Sequence, residues 1–280
     1  MRKIKFLLSF IAIVFLLPAV SFAGWWALQD RPSSWRNADW SASGLLPPAT
    51  ESREAAIYVL AARTGGLKGA LSVHTWIVLK PQDGPYERYD KVGWGSPVRR
   101  DSYPPDGLWY SNRPYVVKAV YSSEAEHLIP KVRAAIASYP YSRRGDYAIW
   151  PGPNSNSFVS HVANEVPELG VLMPPNAIGR DFRAGWFVFE HDADWTDFRM
   201  SLGGYAGLGF GLDLGLEFNF LGLVAGIDIL HPAIKLPGFG RIDLWPAAAA
   251  QSSGGRPDTE NPPSTTSVWP VTAVASAERR

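Results

Sequence analysis

The tightest constraint in this sequence is an alternation. Leu208, Phe210, Leu212, Leu214, Leu216, Phe218 and Phe220 are interleaved with Gly209, Gly211, Asp213, Gly215, Glu217 and Asn219. A strand places successive side chains on opposite faces, so a period of two sustained this long specifies β-structure rather than an amphipathic helix. Leu221–Leu230 predicts an antiparallel return. Its glycines weaken a free strand but allow another backbone, or lipid, to approach closely. The expectation is a Gly-rich β-hairpin packed down over a sheet, in preference to a membrane-touching surface.

A shorter alternation lies at residues 71–79. Leu71, Val73, Thr75, Ile77 and Leu79 share one face of this predicted strand; Ser72, His74, Trp76 and Val78 share the other. Ala55–Ala62 precedes it across the turn Thr64-Gly65-Gly66-Leu67-Lys68-Gly69, which favours a hairpin. Asp83-Gly84-Pro85 turns the chain into a third strand at Tyr86–Val92, and Tyr115–Tyr121 reads as a fourth. A helix is predicted from about Ser123 to Ser138. Ser123 and Glu126 have capping-box spacing, Leu128, Val132, Ala135 and Ile136 form the apolar stripe, and Pro130 should bend the helix or delay its start. Trp186–Glu190 reads as a short strand. The fold class expected is α+β, an antiparallel sheet packed on helices with the Gly-rich hairpin added.

A second helix opens at Pro151-Gly152-Pro153-Asn154-Ser155-Asn156-Ser157-Phe158-Val159. Proline ahead of the run and Asn or Ser at its first positions are helix-start signals, and Phe158, Val159, Val162 and Val166 fall on one stripe. Ser155 shares that buried side at the helix N-terminus, where free N–H groups and the dipole favour a developing negative charge. Asn154 or Ser155 in the simple role of helix cap accounts for the same residues.

Arg2, Lys3 and Lys5 precede an apolar run from Phe6 to Val20 that ends in Ser21-Phe22-Ala23, the pattern of a secretory signal. No charge occurs from Phe6 to Gln29, and Trp25-Trp26 also suits the far interface of a membrane-spanning anchor. Both readings export the remainder, to the periplasm, with residues 6–28 associating with the inner membrane if retained. The 280 residues carry 27 basic and 26 acidic side chains, which implies no polyanion partner, and no basic stripe points to nucleic acid. The absence of cysteine removes thiol catalysis, disulfides, thiolate metal sites and a lipid-modified N-terminal Cys. The expected divisions are a leader or anchor at 1–23, an extended arm at 24–51 that packs some of Trp35 and Trp40 on the domain, a core at 52–185, the Gly-rich extension at 186–245 packed on that core, and a disordered Ala/Ser/Gly/Pro/Thr tail at 246–280.

The chemistry centres on order along the chain. His74 stands mid-strand in a clear alternation; further strands follow, and then a helix N-terminus carrying Ser155. Catalysis would require the base to reach the nucleophile and a third group to orient the base. Asp90 or Glu87 on the next strand is placed for that role, and strand register decides which. Core packing of His74 and capping by Ser155 are the structural alternatives.

These residues resemble the circularly permuted papain-like superfamily, which includes the lecithin:retinol acyltransferase-like and permuted cell-wall peptidase families. Those proteins carry a His on an early strand and a Cys in an Asn-Cys-x-x-Phe-Val-like sequence opening a later helix. Asn154-Ser155-Asn156-Ser157-Phe158-Val159 is similar to that motif with serine in the cysteine position, and His74 in Val73-His74-Thr75-Trp76 matches the family histidine. The resemblance covers roughly residues 55–167. It implies a papain-like core with a catalytic set of Ser155, His74 and Asp90. Serine is a weak nucleophile without an activating base, so three readings stand: a serine-dependent amide or ester hydrolase or acyltransferase of the envelope, an inactive relative whose groove binds an envelope peptide, glycan or lipid, and a structural envelope protein.

Over almost its whole length the chain also resembles an uncharacterised family of exported Gram-negative bacterial proteins known as a domain of unknown function. Trp94-Gly95, Asp106-Gly107-x-Trp109-Tyr110, Trp150–Asn156 and Leu236-Pro237-Gly238-Phe239-Gly240 carry that likeness. Asp181, Glu190, His191, Asp192, Asp194 and Asp197 form an acidic cluster whose spacing matches no calcium loop, so a solvated loop is expected. Ser157 and His161 are a helix-face pair, and His231 before Pro232 reads as structural. No nucleotide-binding glycine motif occurs in strand–turn–helix context, and neither cofactor nor metal is expected.

Overall fold

The computed structural model describes residues 2–245; the expected disordered tail at 246–280 lies outside the described residues. It has two antiparallel sheets and three principal helices, an α+β fold.

The first sheet has five strands, β1 (Ala56–Arg63), β2 (Val73–Lys80), β3 (Glu87–Lys91), β4 (Val98–Arg100) and β5 (Tyr115–Tyr121), in the order β4-β3-β2-β1-β5. Strand β2 is buried along its whole length and β1 along nearly all of it, which is why β1 is apolar at every position before Arg63. One face carries Ile57, Val59, Val73, Ile77 and Leu79 against the helices. The other carries Tyr58, Leu60, Trp76 and Val78 against Trp109 and the Trp40–Leu46 arm. The arm is pinned by aromatics: Trp40 stacks on Tyr103 at 5.0 Å and meets Trp109 edge-on at 5.1 Å, whereas Trp35 is exposed.

Helix α1 runs Arg2–Ala27 with a π-helical turn at Ala12–Leu16. Helix α2 (Ser122–Ala137) starts without a side-chain cap, so the Ser123/Glu126 capping box does not form, and the helix continues through Pro130. Helix α3 (Ser155–Glu165) is the one expected from the Pro151 stretch. Its stripe of Phe158, Val159 and Val162 is buried with Leu128 and Val132 of α2 in one core over the sheet. The cap is Asn154, whose Oδ1 accepts from the backbone N–H of Asn156 at 2.9 Å and Ser157 at 3.2 Å, while Ser157 Oγ accepts from the Asn154 N–H at 2.7 Å. Gly179 sits at φ +97° against Asn154, where any Cβ would collide with the capping amide.

The second sheet is a seven-stranded meander: β6 (Phe187–His191), β7 (Asp197–Leu202), β8 (Ala206–Gly211), β9 (Gly215–Phe220), β10 (Leu223–Asp228), β11 (Ala233–Leu236) and β12 (Gly240–Asp243). The long alternation is thus two strands rather than one. The chain turns at Leu212–Leu214, where Asp197 accepts from the Leu214 N–H at 2.8 Å and lies so close that Gly211 has no room for a Cβ. Its faces are also the reverse of those of a hairpin packed down on its apolar side. The charged and small residues, not the apolar ones, point at the body: Arg180 pairs with Glu217, Asn219 donates to Asp181 at 2.6 Å, and Arg183 donates to Glu190 at 2.9 Å.

Candidate functional site

Register settles which carboxylate meets His74. Ile77 pairs with Tyr89 and Leu79 with Glu87, so Glu87 projects toward the helices, where Arg133 of α2 holds it at 2.7 Å. Asp90 projects to the His74 side. His74 Nε2 lies 3.7 Å from Asp90 Oδ1, close enough to interact as charges but long for a hydrogen bond. Among the described residues neither atom has a hydrogen-bond partner. Arg88 Nε donates to Asp90 Oδ2 at 3.1 Å, and Arg99 stands 3.9 Å from Oδ1. Aromatic rings seal the group: the imidazole lies flat on Trp109, centroids 3.6 Å apart and planes 2° apart, and the Arg88 guanidinium sits 4.2 Å over Trp76.

Burial governs the electrostatics. Desolvation lowers the His74 pKa, favouring the neutral ring, and the Asp90 charge only partly opposes it. For Asp90, burial alone would raise the pKa, but His74 and the Arg88 charge outweigh it and hold the carboxyl below its ordinary value. Asp90 is fully buried and His74 nearly so.

Ser155 is elsewhere. Helix α3 packs on the opposite face of β2, the face of Thr75, whose hydroxyl donates to Asn156 Oδ1 at 2.9 Å and lies 3.4 Å from the Ser155 carbonyl. Asn156 Nδ2 donates in turn to the Val73 and Ile178 carbonyls at 3.0 and 2.8 Å. These bonds clamp the helix start to the sheet. The Ser155 hydroxyl makes no hydrogen bond to His74. The structure brings His74 and Asp90 together and does not bring Ser155 to them; nor is Ser155 the cap, which is Asn154.

The other singled-out residues have local partners. Ser157 closes the capping box and lies 3.2 Å from the Tyr139 hydroxyl, and His161 packs edge-on to Tyr139. The acidic stretch is divided among Arg183, Asn219 and backbone N–H groups, and His231 stands 3.7 Å from Asp228.

Residues 54–182 match the model of a family described as Protein of unknown function (DUF3750). The match takes in the five-stranded sheet, α2 and α3, and stops before the second sheet, so the likeness is narrower than the sequence motifs suggested. No curated protein and no solved structure matches the chain.

A cavity of about 510 Å³ lies between the β5 edge of the first sheet and the inner face of the second. Tyr115, Val117, Leu172, Met173 and Phe239 supply apolar wall; Arg63, Arg113, Asp213, Lys235 and Arg241 supply charge. Lys235 is neutralised by Glu217 at 2.5 Å and Arg241 by Asp228 at 2.8 Å. Burial would raise the Glu217 pKa, but Arg180 and Lys235 hold it at about 2. Burial lowers the Arg63 pKa to about 10, and its guanidinium donates to the Gly69, Ala70 and Gly238 carbonyls. Arg88 and this cavity carry no signal in the sequence; the Asp106-Gly107-x-Trp109-Tyr110 motif includes Trp109, but only the folded chain stacks it on His74.

Proposed function

We propose that this is an exported cell-envelope protein, held at the inner membrane by a retained α1, that binds an envelope peptide, glycan or lipid without transforming it. The observation that carries the reading is that the start of α3 is bonded to the Thr75 side of β2, whereas His74 stacks on Trp109, with no hydrogen bond between Ser155 and His74. A serine hydroxyl needs a base within hydrogen-bond reach to become a nucleophile. The motif Asn154–Val159 and the order of strand histidine and later helix support descent from a papain-like fold; the Ser-for-Cys exchange supports loss of its chemistry. The cavity between the sheets, apolar with charged corners, is the binding site in this reading. Retention of α1 is supported by Phe22 and Trp26, which are buried in the body: Trp26 Nε1 donates to the Gly66 carbonyl at 3.0 Å, and Arg63 sits 4.4 Å over Phe22.

Protein purified gently from its native membrane tests this. Mass spectrometry should find an amphipathic species enriched over bulk lipid, and Leu172→Trp, which adds bulk to the cavity wall, should deplete it. Retention of the same species by that variant would remove the cavity from the proposal. The hydrolase alternative predicts that a serine-directed phosphonate labels Ser155 and that His74→Ala abolishes labelling; the binding reading predicts no label on Ser155.

A further inference from the structure

The second sheet is inside out for a protein in water. Its inner face carries the row Glu190, Arg199, Gly209, Glu217, Gly226 and Lys235, neighbour paired to neighbour across six strands. Its outer face carries His191, Phe198, Phe210, Leu216, Ile227 and Ile234 in one row. Phe189, Met200, Leu208, Phe218 and Ala225 form the next. Apart from His191 at the edge, these two outer rows hold no ionisable side chain. Phe187 is 62% exposed, Phe218 44% and Phe210 41%. Soluble monomers rarely leave so continuous an apolar surface uncovered.

Two further observations identify what covers it. The third outer row, Phe187, Leu202, Ala206, Phe220 and Leu223, runs into α1, where Phe15 meets Phe220 with centroids 5.6 Å apart. Helix α1 has 26 residues, long and apolar enough to cross a bilayer, and its exposed side continues the apolar surface with Phe10, Ile13, Leu16 and Leu17. Phe15 precedes Ala23 by eight residues, about 12 Å of helix at 1.5 Å per residue. That keeps the contact within one half of a hydrocarbon core roughly 30 Å thick. The rim of the face is tryptophan: Trp186 and Trp195 flank edge strand β6 and Trp245 follows edge strand β12, each at least 60% exposed. Amphipathic indole rings favour the membrane–water boundary.

We infer that the outer face of the seven-stranded sheet is a bilayer-docking surface, seated on lipid acyl chains beside α1. The sheet lies along the interface and does not span it, because its two edge strands keep unpaired backbone groups that hydrocarbon would not satisfy. The charged inner face then stays on the aqueous side, joined to the body through Arg180, Asp181 and Arg183.

The chain has no cysteine, so single cysteines at Phe187, Phe210, Phe218 and Ile234 accept spin labels without background, with Gln82 in the β2–β3 turn as the aqueous control. The full chain is reconstituted in phospholipid vesicles at high lipid excess. Relaxation by oxygen, which concentrates in the bilayer, is compared with relaxation by a water-soluble nickel chelate. The inference expects oxygen to dominate at the four sheet positions and nickel at Gln82. Nickel dominance at the sheet positions would overturn it by placing the face in water. Shielding from both reagents would overturn it in favour of a protein cover, with spin–spin broadening marking a second copy and its absence marking the 246–280 segment. The result does not depend on whether the cavity holds a ligand.

Discussion

The five-stranded sheet is covered on both faces, by α2 and α3 on one side and by the Trp40–Leu46 arm with Trp109 on the other. The seven-stranded sheet is covered by protein along its charged face, whereas on the other face α1 reaches only the Phe220 end. In the first, apolar residues dominate β1 and β2, and most of the buried charges, Arg88 and Asp90 paired among them, lie on β3. In the second, charges line the inner face as a network while the aromatics look outward. Alternation fixes that two faces differ, not which one meets the body. The partner surface decides: helices α2 and α3 offer Phe158 and Leu128, whereas the 180–183 segment offers Arg180, Asp181 and Arg183.

Removing a buried charge should have the largest effect in either sheet. Asp90→Ala leaves the Arg88 guanidinium buried without its carboxylate, and Glu217→Ala does the same to Arg180 and Lys235. Each should cost about 3–5 kcal/mol in denaturant unfolding of the solubilised protein. A loss under about 1 kcal/mol would mean that water reaches these groups.

Acid should act through the first sheet. The folded-state pKa of His74 is depressed below its ordinary 6.5, so its contribution is complete above about pH 6.5 and is lost as pH falls toward the folded value. Asp90, also depressed, contributes above its ordinary 3.8, and that stability is lost only at lower pH still. Between pH 7 and 5 the wild type should therefore lose stability on acidification, and His74→Gln should flatten that slope. An unchanged slope would assign the loss to other groups, His161 first among them because burial lowers its pKa as well.

The helix start should respond less. Asn154→Ala removes the cap and should cost about 1–2 kcal/mol. Ser155→Ala, which breaks no hydrogen bond in the structure, should cost less. The reverse order would give Ser155 a structural role that the geometry does not show.

Phe218→Ala should have the smallest effect, within about 0.5 kcal/mol of wild type in detergent, as for an exposed position. A cost of several kcal/mol, the scale of a core Phe→Ala, would mean that protein covers the outer face.

Much of the first sheet was legible because its strands have clear periodicity and its turns strong glycine signals. The stripe on α3 was legible for the same reason, with Phe158, Val159, Val162 and Val166 all buried. The site was less so. Register alone chose Asp90 over Glu87, and a difference of one residue in strand parity put His74 and Thr75 on opposite faces, with α3 on the side of Thr75. Periodicity could not reveal that Asp197 folds the long alternation back at Leu214, because both halves keep the same phase. It also could not reveal the inverted packing, since the pairings of Glu217 with Arg180 and Lys235 join residues far apart in sequence.

Helix α1 and the second sheet share one apolar surface only if α1 stays on the chain, and the intact mass of the native protein from the membrane fraction tests this directly. A chain retaining residues 2–23, with Phe15 against Phe220 and Phe22 against Phe239, is the result expected. A mature N-terminus at Gly24 would contradict it, because cleavage there removes both contacts and the anchor with them.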